Sequence, residues 1–344
     1  MCAERLVDRS PELASDELVA ALVPPPRFDE ARFCTYVPNP DEPSQAEAVA
    51  ACSAFADRTA KARAHRGFGS LFRRKRGGEQ QPPGLYLDGG FGVGKTHLLA
   101  SIWHAASTPK SYATFVELTH LVGVLGFNET VRQLSGHRLL AVDEFELDDP
   151  GDTMLITRLL GELIEAGVRV TATSNTLPDK LGEGRFAAAD FLREIQTLSA
   201  RFGVVTVDGP DYRHRGMSDP PAPMSDTELA ASAEATSGAT LDDFESLCEH
   251  LGALHPSRYG KLVSGVSAVH LRGLRPAPDQ TVALRLVSLA DRLYDRAIPV
   301  AVSGATVEEL FPAEMLAGGY RKKYLRALSR LTALSRAETV VPSA

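Results

Sequence analysis

The chain has 344 residues, 44% of them hydrophobic and 24% charged, which is enough for two ordinary domains with cores of their own. No apolar run reaches the roughly 18 residues of a membrane span, and residues 1–10 lack the apolar stretch of a secretory signal. The four cysteines are scattered without a CxxC pair, which argues against zinc or redox chemistry and favours a reducing cytoplasm.

Charge is distributed unevenly along the sequence. The formal net charge is −7, which disfavours a protein that wraps duplex DNA. Residues 58–76 nevertheless contain eight Lys or Arg and no acidic residue. This basic run could bind an acidic protein segment, anionic lipid or nucleic acid, or it could form a solvated loop.

Residues 1–83 are predicted to be irregular segments around one helix at 46–62, which Ser44 would cap together with Glu47. Strands and helices then alternate. Strands are predicted at 85–87, 112–116, 139–142, 168–173 and 204–207, and helices at 96–106, at 190–200 and from Pro150, after an Asp149 cap, to a stop at Gly167. The alternation predicts an α/β fold of the P-loop NTPase type, with a parallel sheet and helices on both faces.

Residues 216–240 are rich in small and acidic residues and are predicted to be a linker between a core at 84–215 and a C-terminal α/β region at 241–344. Six residues spread over 141–159 recur 127 positions later, at 268–286. This pattern indicates either an internal duplication or a shared helical periodicity. At that offset, His270 and Leu271 would replace the acids Asp143 and Glu144, so a second copy would be inactive.

The strongest chemical signal is a match to G-x-x-x-x-G-K-[ST] between a predicted strand and a predicted helix. The motif consists of Gly89, Gly90, Phe91, Gly92, Val93, Gly94, Lys95 and Thr96. Glycines let backbone N–H groups surround a phosphate, and the start of a helix adds positive potential. Lys95 would contact the β- and γ-phosphates of ATP, while the Thr96 hydroxyl would hold Mg²⁺. We include the next residue, His97, in the predicted nucleotide-binding set.

Polar residues follow two later strands. Asp143 and Glu144 come directly after the apolar run 139–142. Asp143 would serve Mg²⁺, and Glu144 would act as the general base that orients the attacking water. Asn175 follows the next strand and would lie near the γ-phosphate, although an Asn that closes a turn is the alternative.

An arginine supplied by a neighbouring subunit would stabilise charge in the transition state of ATP hydrolysis. Arg201, just before the last core strand, is the first candidate, and Arg185 and Arg193 compete with it. Arg326 or Arg330 of the C-terminal region would be the candidates for an arginine that senses nucleotide.

With these motifs, the chain resembles the ZapE family of AAA+ ATPases, bacterial cell-division relatives of mitochondrial Afg-type ATPases. The resemblance rests on residues 84–90, 143–145, 172–175, 191–195, 211–213, 292–296 and 328–331. Residues 43–45 are similar to the family's N-terminal segment, which implies that Gln45 contacts adenine. The linker and the basic run depart from the family pattern and leave the partner surface open.

The resemblance implies a cytoplasmic ATPase that forms a homo-oligomer with ATP and remodels a protein client, such as FtsZ or another division protein. Two other functions stay open. A helicase-loader relative would use the basic run on single-stranded DNA, and its ATPase activity would respond to DNA and salt. A nucleotide-gated adaptor would bind ATP with little turnover, against which the presence of Glu144 argues.

Overall fold

The computed structural model describes residues 4–11, 15–61, 82–145, 150–177, 192–210 and 221–337. The chain divides into two compact units. The first unit comprises residues 14–24 and 28–212, and the second unit comprises residues 1–13, 25–27 and 213–344. Most of the basic run falls outside the described residues. No helix among the described residues is both long enough and apolar enough to cross a membrane.

The first unit contains a five-stranded parallel sheet in the order β2-β3-β4-β1-β5, which confirms the predicted fold class. Its elements are α1 Ser15–Ala20, α2 Pro43–Lys61, β1 Gly84–Gly89, α3 Lys95–Ala105, β2 Lys110–Thr114, α4 Phe115–Leu125, α5 Phe127–Leu134, β3 Leu139–Asp143, α6 Pro150–Glu165, β4 Arg169–Ser174, α7 Leu192–Ser199 and β5 Phe202–Val207. Every residue of β3 is buried, as expected for a central parallel strand covered on both faces. All five strands therefore end at the same edge of the sheet.

Two local expectations in the first unit are wrong. The strand predicted at 112–116 stops at Thr114, because the Thr114 hydroxyl accepts a hydrogen bond from the Glu117 N–H and starts α4 instead. Ser44 does not cap α2, which begins one residue earlier at Pro43. The Ser44 hydroxyl accepts a hydrogen bond from the Asp208 N–H at 2.9 Å.

The second unit contains a three-stranded parallel sheet in the order β6-β7-β8. Its elements are α8 Asp226–Ala235, β6 Ala239–Asp243, α9 Phe244–Ala253, α10 Tyr259–Leu262, β7 Ala268–Leu274, α11 Gln280–Asp295, β8 Val300–Gly304, α12 Ala313–Ala317 and α13 Arg321–Ala337. The prediction of a linker at 216–240 is therefore wrong for its described part. Ser225 and Glu228 form a capping box that starts α8, and Leu229 and Ala233 are buried, so the helix packs with one large and one small apolar side chain.

The second unit repeats the arrangement of the first. Strand β6 pairs with β7 at a sequence separation of 29 residues, the separation at which β2 pairs with β3. Helices α6 and α11 each have 16 residues and join the next pair of parallel strands. Met224 forms a parallel bridge to Ser303 of β8, in the place that Leu87 of β1 takes beside β4. The matching order and register support an internal duplication.

The strand register corrects the predicted offset of 127. Pairing of Ala239 with Ala268, and of Lys110 with Leu139, gives an offset of about 129. Arg272 and Gly273, rather than His270 and Leu271, therefore occupy the positions equivalent to Asp143 and Glu144. The sequence identities at 127 therefore fall about two residues out of the strand register.

The two units differ most before their first helix. In the first unit, seven residues separate Leu87 from Lys95, where α3 begins. In the second, the equivalent strand residue Met224 is followed by Ser225, and α8 begins at Asp226. No loop that could surround a phosphate precedes the helix in residues 221–226, all of which the structure describes.

Candidate nucleotide-binding and active site

The loop between β1 and α3 has the backbone geometry of a phosphate cradle. Gly92 and Gly94 adopt φ angles of 63° and 94°, in the left-handed region that favours glycine. A Cβ on Gly94 would lie 2.4 Å from Cε2 of Tyr36, so this position has no room for a side chain. Helix α3 begins directly after Gly94, which directs its unpaired N–H groups toward the loop. A glycine loop of this geometry, followed directly by the start of a helix, fits the phosphates of a nucleotide.

Lys95 is buried at the start of α3 and its ammonium group lies over the loop. Its Nζ donates hydrogen bonds to the carbonyl oxygens of Gly89 at 2.8 Å and Gly90 at 2.5 Å. It also donates to Oδ1 of Asn175 at 2.9 Å, which joins the loop to the end of β4. A cation held in this position can neutralise phosphate charge.

Asp143 ends β3 and lies beside the start of α3. The Thr96 hydroxyl donates to its Oδ1 at 3.3 Å, so the two predicted metal-binding side chains are adjacent. Thr173 of β4 also donates to Oδ1, and the buried hydroxyl of Tyr112 on β2 donates to Oδ2 at 2.8 Å. A carboxylate and a hydroxyl are the oxygen ligands that Mg²⁺ takes together with substrate phosphates and water. The side chains therefore fit the ion.

Glu144 has a φ of 56°, which is uncommon for a residue other than glycine. Its N–H donates to the Thr173 hydroxyl at 3.0 Å and lies 3.2 Å from Oδ1 of Asp143, so contacts on the neighbouring strand hold this backbone. The side chain is partly exposed, whereas Asp143 is buried. Strained backbone held by its surroundings is typical of active sites.

The strand order explains how Asn175 reaches this site. Strand β4 lies between β3 and β1, so the residue that follows it lies between Asp143 and the phosphate loop. Besides the contact to Lys95, the Tyr86 hydroxyl donates to the Thr176 carbonyl at 2.7 Å and fixes the chain just after Asn175. The structure thus brings together Lys95, Thr96, Asp143 and Asn175.

Gln45 is buried and uses its amide for the backbone. Its Oε1 accepts from the Asn39 N–H and its Nε2 donates to the Asp208 carbonyl, both at 2.8 Å. These contacts join the N-terminal segment to the chain after β5. They give Gln45 a structural role, and its contact with adenine remains a prediction.

Sequence reasoning missed Tyr36, which contacts the phosphate loop from the N-terminal segment. Its hydroxyl donates to the Val93 carbonyl at 2.7 Å, and its ring meets the His97 ring edge to face at 5.7 Å between centroids. Burial, with a smaller effect from Cys52, raises the pKa of Tyr36 to about 12, so the hydroxyl remains a donor at neutral pH. His97 is also bound to this segment, at 3.0 Å from the Thr35 hydroxyl. No motif marks Tyr36, because its role depends on contacts 57 residues away.

Arg201 lies at the opposite edge of the sheet from the phosphate loop. It directly precedes β5, and its carbonyl accepts from the N–H of Gly84 at the start of β1. Its guanidinium pairs with Glu165 at 3.0 Å. Arg201 therefore does not contribute to the site of its own chain. Arg193 is exposed on α7, and Arg185 lies outside the described residues.

Arg326 and Arg330 of the second unit are buried against one carboxylate. Both donate to Asp291, Arg326 at 3.0 Å, and the guanidinium of Arg330 also lies 5.3 Å from the centre of the Tyr294 ring. These contacts hold α13 to α11. A nucleotide-sensing role for either arginine remains a prediction.

The family model of the AFG1-like ATPases matches residues 14–236 and 218–341. The chain belongs to the AFG1-like ATPase family. Over 147 residues it is 33% identical to the cell division protein ZapE of Escherichia coli K12, and this stretch covers 39% of each chain. It is 36% identical over 80 residues to lactation elevated protein 1 homolog B of Danio rerio, covering 23% of this chain and 16% of the relative. The matched stretches thus span less than half of these relatives.

Among solved structures, the chain is similar to domain III of the replication initiation protein DnaA from Thermotoga maritima. The identity is 20%, the TM-score is 0.37, and the match covers 53% of this chain and 69% of that one. A similarity of this size carries no argument about function.

Proposed function

We propose that this AFG1-like chain hydrolyses ATP with Mg²⁺ as cofactor. The observation that carries the proposal is the convergence of Lys95, Thr96, Asp143 and Asn175 around a glycine loop whose Gly92 and Gly94 adopt left-handed backbone angles. Membership of the AFG1-like ATPase family supports the same activity.

Each side chain has a role that follows from its position. The loop N–H groups and Lys95 would hold the phosphates, and Thr96 and Asp143 would hold the metal. When bound, Mg²⁺ supplies neutralisation of negative charge on the phosphates. Glu144 would accept the proton of the attacking water, and Asn175 would orient that water or the γ-phosphate through its amide.

Two substitutions separate binding from hydrolysis. Glu144→Gln keeps the size of the side chain but removes the base, so we expect turnover to fall at least about 100-fold while ATP affinity stays within a few fold. Lys95→Ala should lose both. If Glu144→Gln hydrolyses ATP as fast as wild type, Glu144 is not the base. If wild type binds ATP without measurable turnover, the chain acts as a nucleotide-gated adaptor.

We further propose that the ATP cycle remodels a protein client of the division machinery. The support is the similarity to the E. coli protein named for cell division, and FtsZ or one of its associated proteins is the first candidate client. Glu144→Gln should accumulate in the ATP state and retain the client in a pull-down, whereas Lys95→Ala should release it. Stimulation of the ATPase by single-stranded DNA, with steep dependence on salt, would instead indicate a helicase-loader function.

The position of Arg201, away from its own phosphate loop, is compatible with a role in a neighbouring subunit. An ATP-bound homo-oligomer would then show specific activity that rises with protein concentration. Mixing Lys95→Ala with Arg201→Ala tests the assignment, because only a mixed interface combines an intact loop with an intact arginine. Recovery of activity on mixing is expected; two inactive proteins that remain inactive together would contradict a trans role for Arg201.

A further inference from the structure

The carboxylate of Asp143 is held at both of its oxygens by side chains outside the recognised motifs. Tyr112 donates to Oδ2 at 2.8 Å from the neighbouring strand β2, and Thr173 donates to Oδ1 from the other neighbour, β4. All three side chains are buried, with exposed fractions of 6% or less. Oδ1 is also the oxygen that receives the Thr96 hydroxyl. The two flanking strands therefore fix the rotation of the carboxylate beside Thr96.

The second unit shows which of these contacts belongs to the fold itself. Ser303 takes the position of Thr173, and its hydroxyl accepts from the Gly273 N–H at 3.0 Å, as Thr173 accepts from the Glu144 N–H at 3.0 Å. This hydroxyl contact is thus present in both units. It supports the bend after the central strand in both units, although Arg272 takes the place of Asp143 in the second and the Ser303 hydroxyl there donates to Asp226.

The tyrosine hydroxyl, in contrast, occurs only together with the acid. In the register of the second unit, Leu241 takes the position of Tyr112, and Arg272 takes the position of Asp143. Leu241 preserves an apolar side chain at that position without a hydroxyl. Packing at the position of Tyr112 on β2 therefore requires an apolar side chain but no hydrogen-bond donor. The Tyr112 hydroxyl instead serves the Asp143 carboxylate.

From these contacts we propose that Tyr112 is a positioning residue that orients Asp143 for Mg²⁺. The proposal rests on the proposed function, since it concerns the metal of the same site. With Oδ2 bound to Tyr112, Oδ1 faces the Thr96 hydroxyl and the start of α3. Without the phenol, the buried Oδ2 loses a donor and the carboxylate turns toward the remaining hydroxyls. Metal affinity then falls, while the phosphate loop is untouched.

The test measures how strongly Mg²⁺ and nucleotide binding are coupled. Affinity for a fluorescent ATP analogue is measured with Mg²⁺ and with EDTA. The dissociation constant with EDTA divided by that with Mg²⁺ gives a ratio that is compared between variants. Tyr112→Phe should reduce this ratio about five- to tenfold and leave the EDTA value within twofold of wild type. The control is Tyr259→Phe of the second unit, which also loses one buried hydroxyl contact, at 2.8 Å to the Leu251 carbonyl. Its ratio should equal that of wild type.

The outcomes are distinct. An unchanged ratio in Tyr112→Phe overturns the proposal, and so does an equal loss of affinity with and without Mg²⁺, which would indicate a structural role. Thr173→Ser, which retains the hydroxyl found in the second unit, should keep the wild-type ratio, whereas Thr173→Val should lower it. If wild type itself shows no effect of Mg²⁺ on nucleotide affinity, the proposed function fails rather than the assignment of Tyr112.

Discussion

Replacing Gly94 with alanine tests the tight approach between the N-terminal segment and the phosphate loop. A residue with a Cβ costs about 1–2 kcal/mol at the left-handed φ of 94°. The new Cβ would lie 2.4 Å from Tyr36 Cε2, so the ring must move. The 2.7 Å hydrogen bond from the Tyr36 hydroxyl to the Val93 carbonyl is then strained or lost, which costs about 1 kcal/mol. Together these terms amount to about 2–3 kcal/mol, or about 30- to 150-fold in the dissociation constant for ATP.

A double-mutant cycle separates the two contributions. Titration calorimetry of Gly94→Ala, Tyr36→Ala and the double variant should give a coupling of about 1 kcal/mol, because removal of the ring relieves the clash but not the backbone strain. Urea unfolding of each protein checks that the effects on ATP affinity are not effects of global stability. Strictly additive losses would refute the close approach, and wild-type affinity in Gly94→Ala would refute the loop geometry as a whole.

Three further predictions concern the elements that support the site. The Lys110 ammonium donates to three carbonyls at the C-terminal end of α3, at 2.6 to 3.2 Å. Lys110→Met should therefore lower the free energy of unfolding by about 2 kcal/mol in urea, and wild-type stability of the variant would contradict this. Burial lowers the pKa of His137, so the unfolded chain binds a proton that the folded chain does not, and stability should fall as the pH drops below about 6.5. In urea titrations at pH 5 to 7, His137→Gln should flatten the dependence of stability on pH, and an unchanged dependence would exclude His137 as its source. Asn175→Ala should reduce turnover about tenfold or more with ATP affinity within a few fold, and equal loss of both in steady-state and binding assays would mean that Asn175 acts only by holding Lys95.

The parts of the fold that were predictable from the sequence are those with local signals. The strand before Gly89, the helix after it and the buried run at 139–142 are each specified by neighbouring residues, and the structure has all three. Their order around the loop places Asn175 between two strands, as parallel topology requires. The helix pair α4 and α5 went unpredicted, because the Thr114 cap that starts it interrupts a run with strand-like composition.

Features that depend on distant contacts could not be predicted in this way. Tyr36 and Tyr112 carry no motif, and their roles appear only when the chain brings them to Val93 and Asp143. The register of the second unit was misassigned by about two residues, because a few identities along the sequence do not specify which strand residues pair. Helix α8 was missed since Leu229 is its only large buried side chain and its other buried residue, Ala233, is of a type that is also common in linkers.

Among the described residues, one loop can hold the phosphates of a nucleotide, because it precedes α3 with the required glycines, whereas the second unit begins α8 directly after Ser225. Isothermal titration calorimetry of ATP with Mg²⁺ against the 344-residue chain measures the number of nucleotide sites. We expect one ATP per chain for wild type and no binding for Lys95→Ala. Two sites per chain, or binding that survives in Lys95→Ala, would contradict the assignment of the phosphate loop.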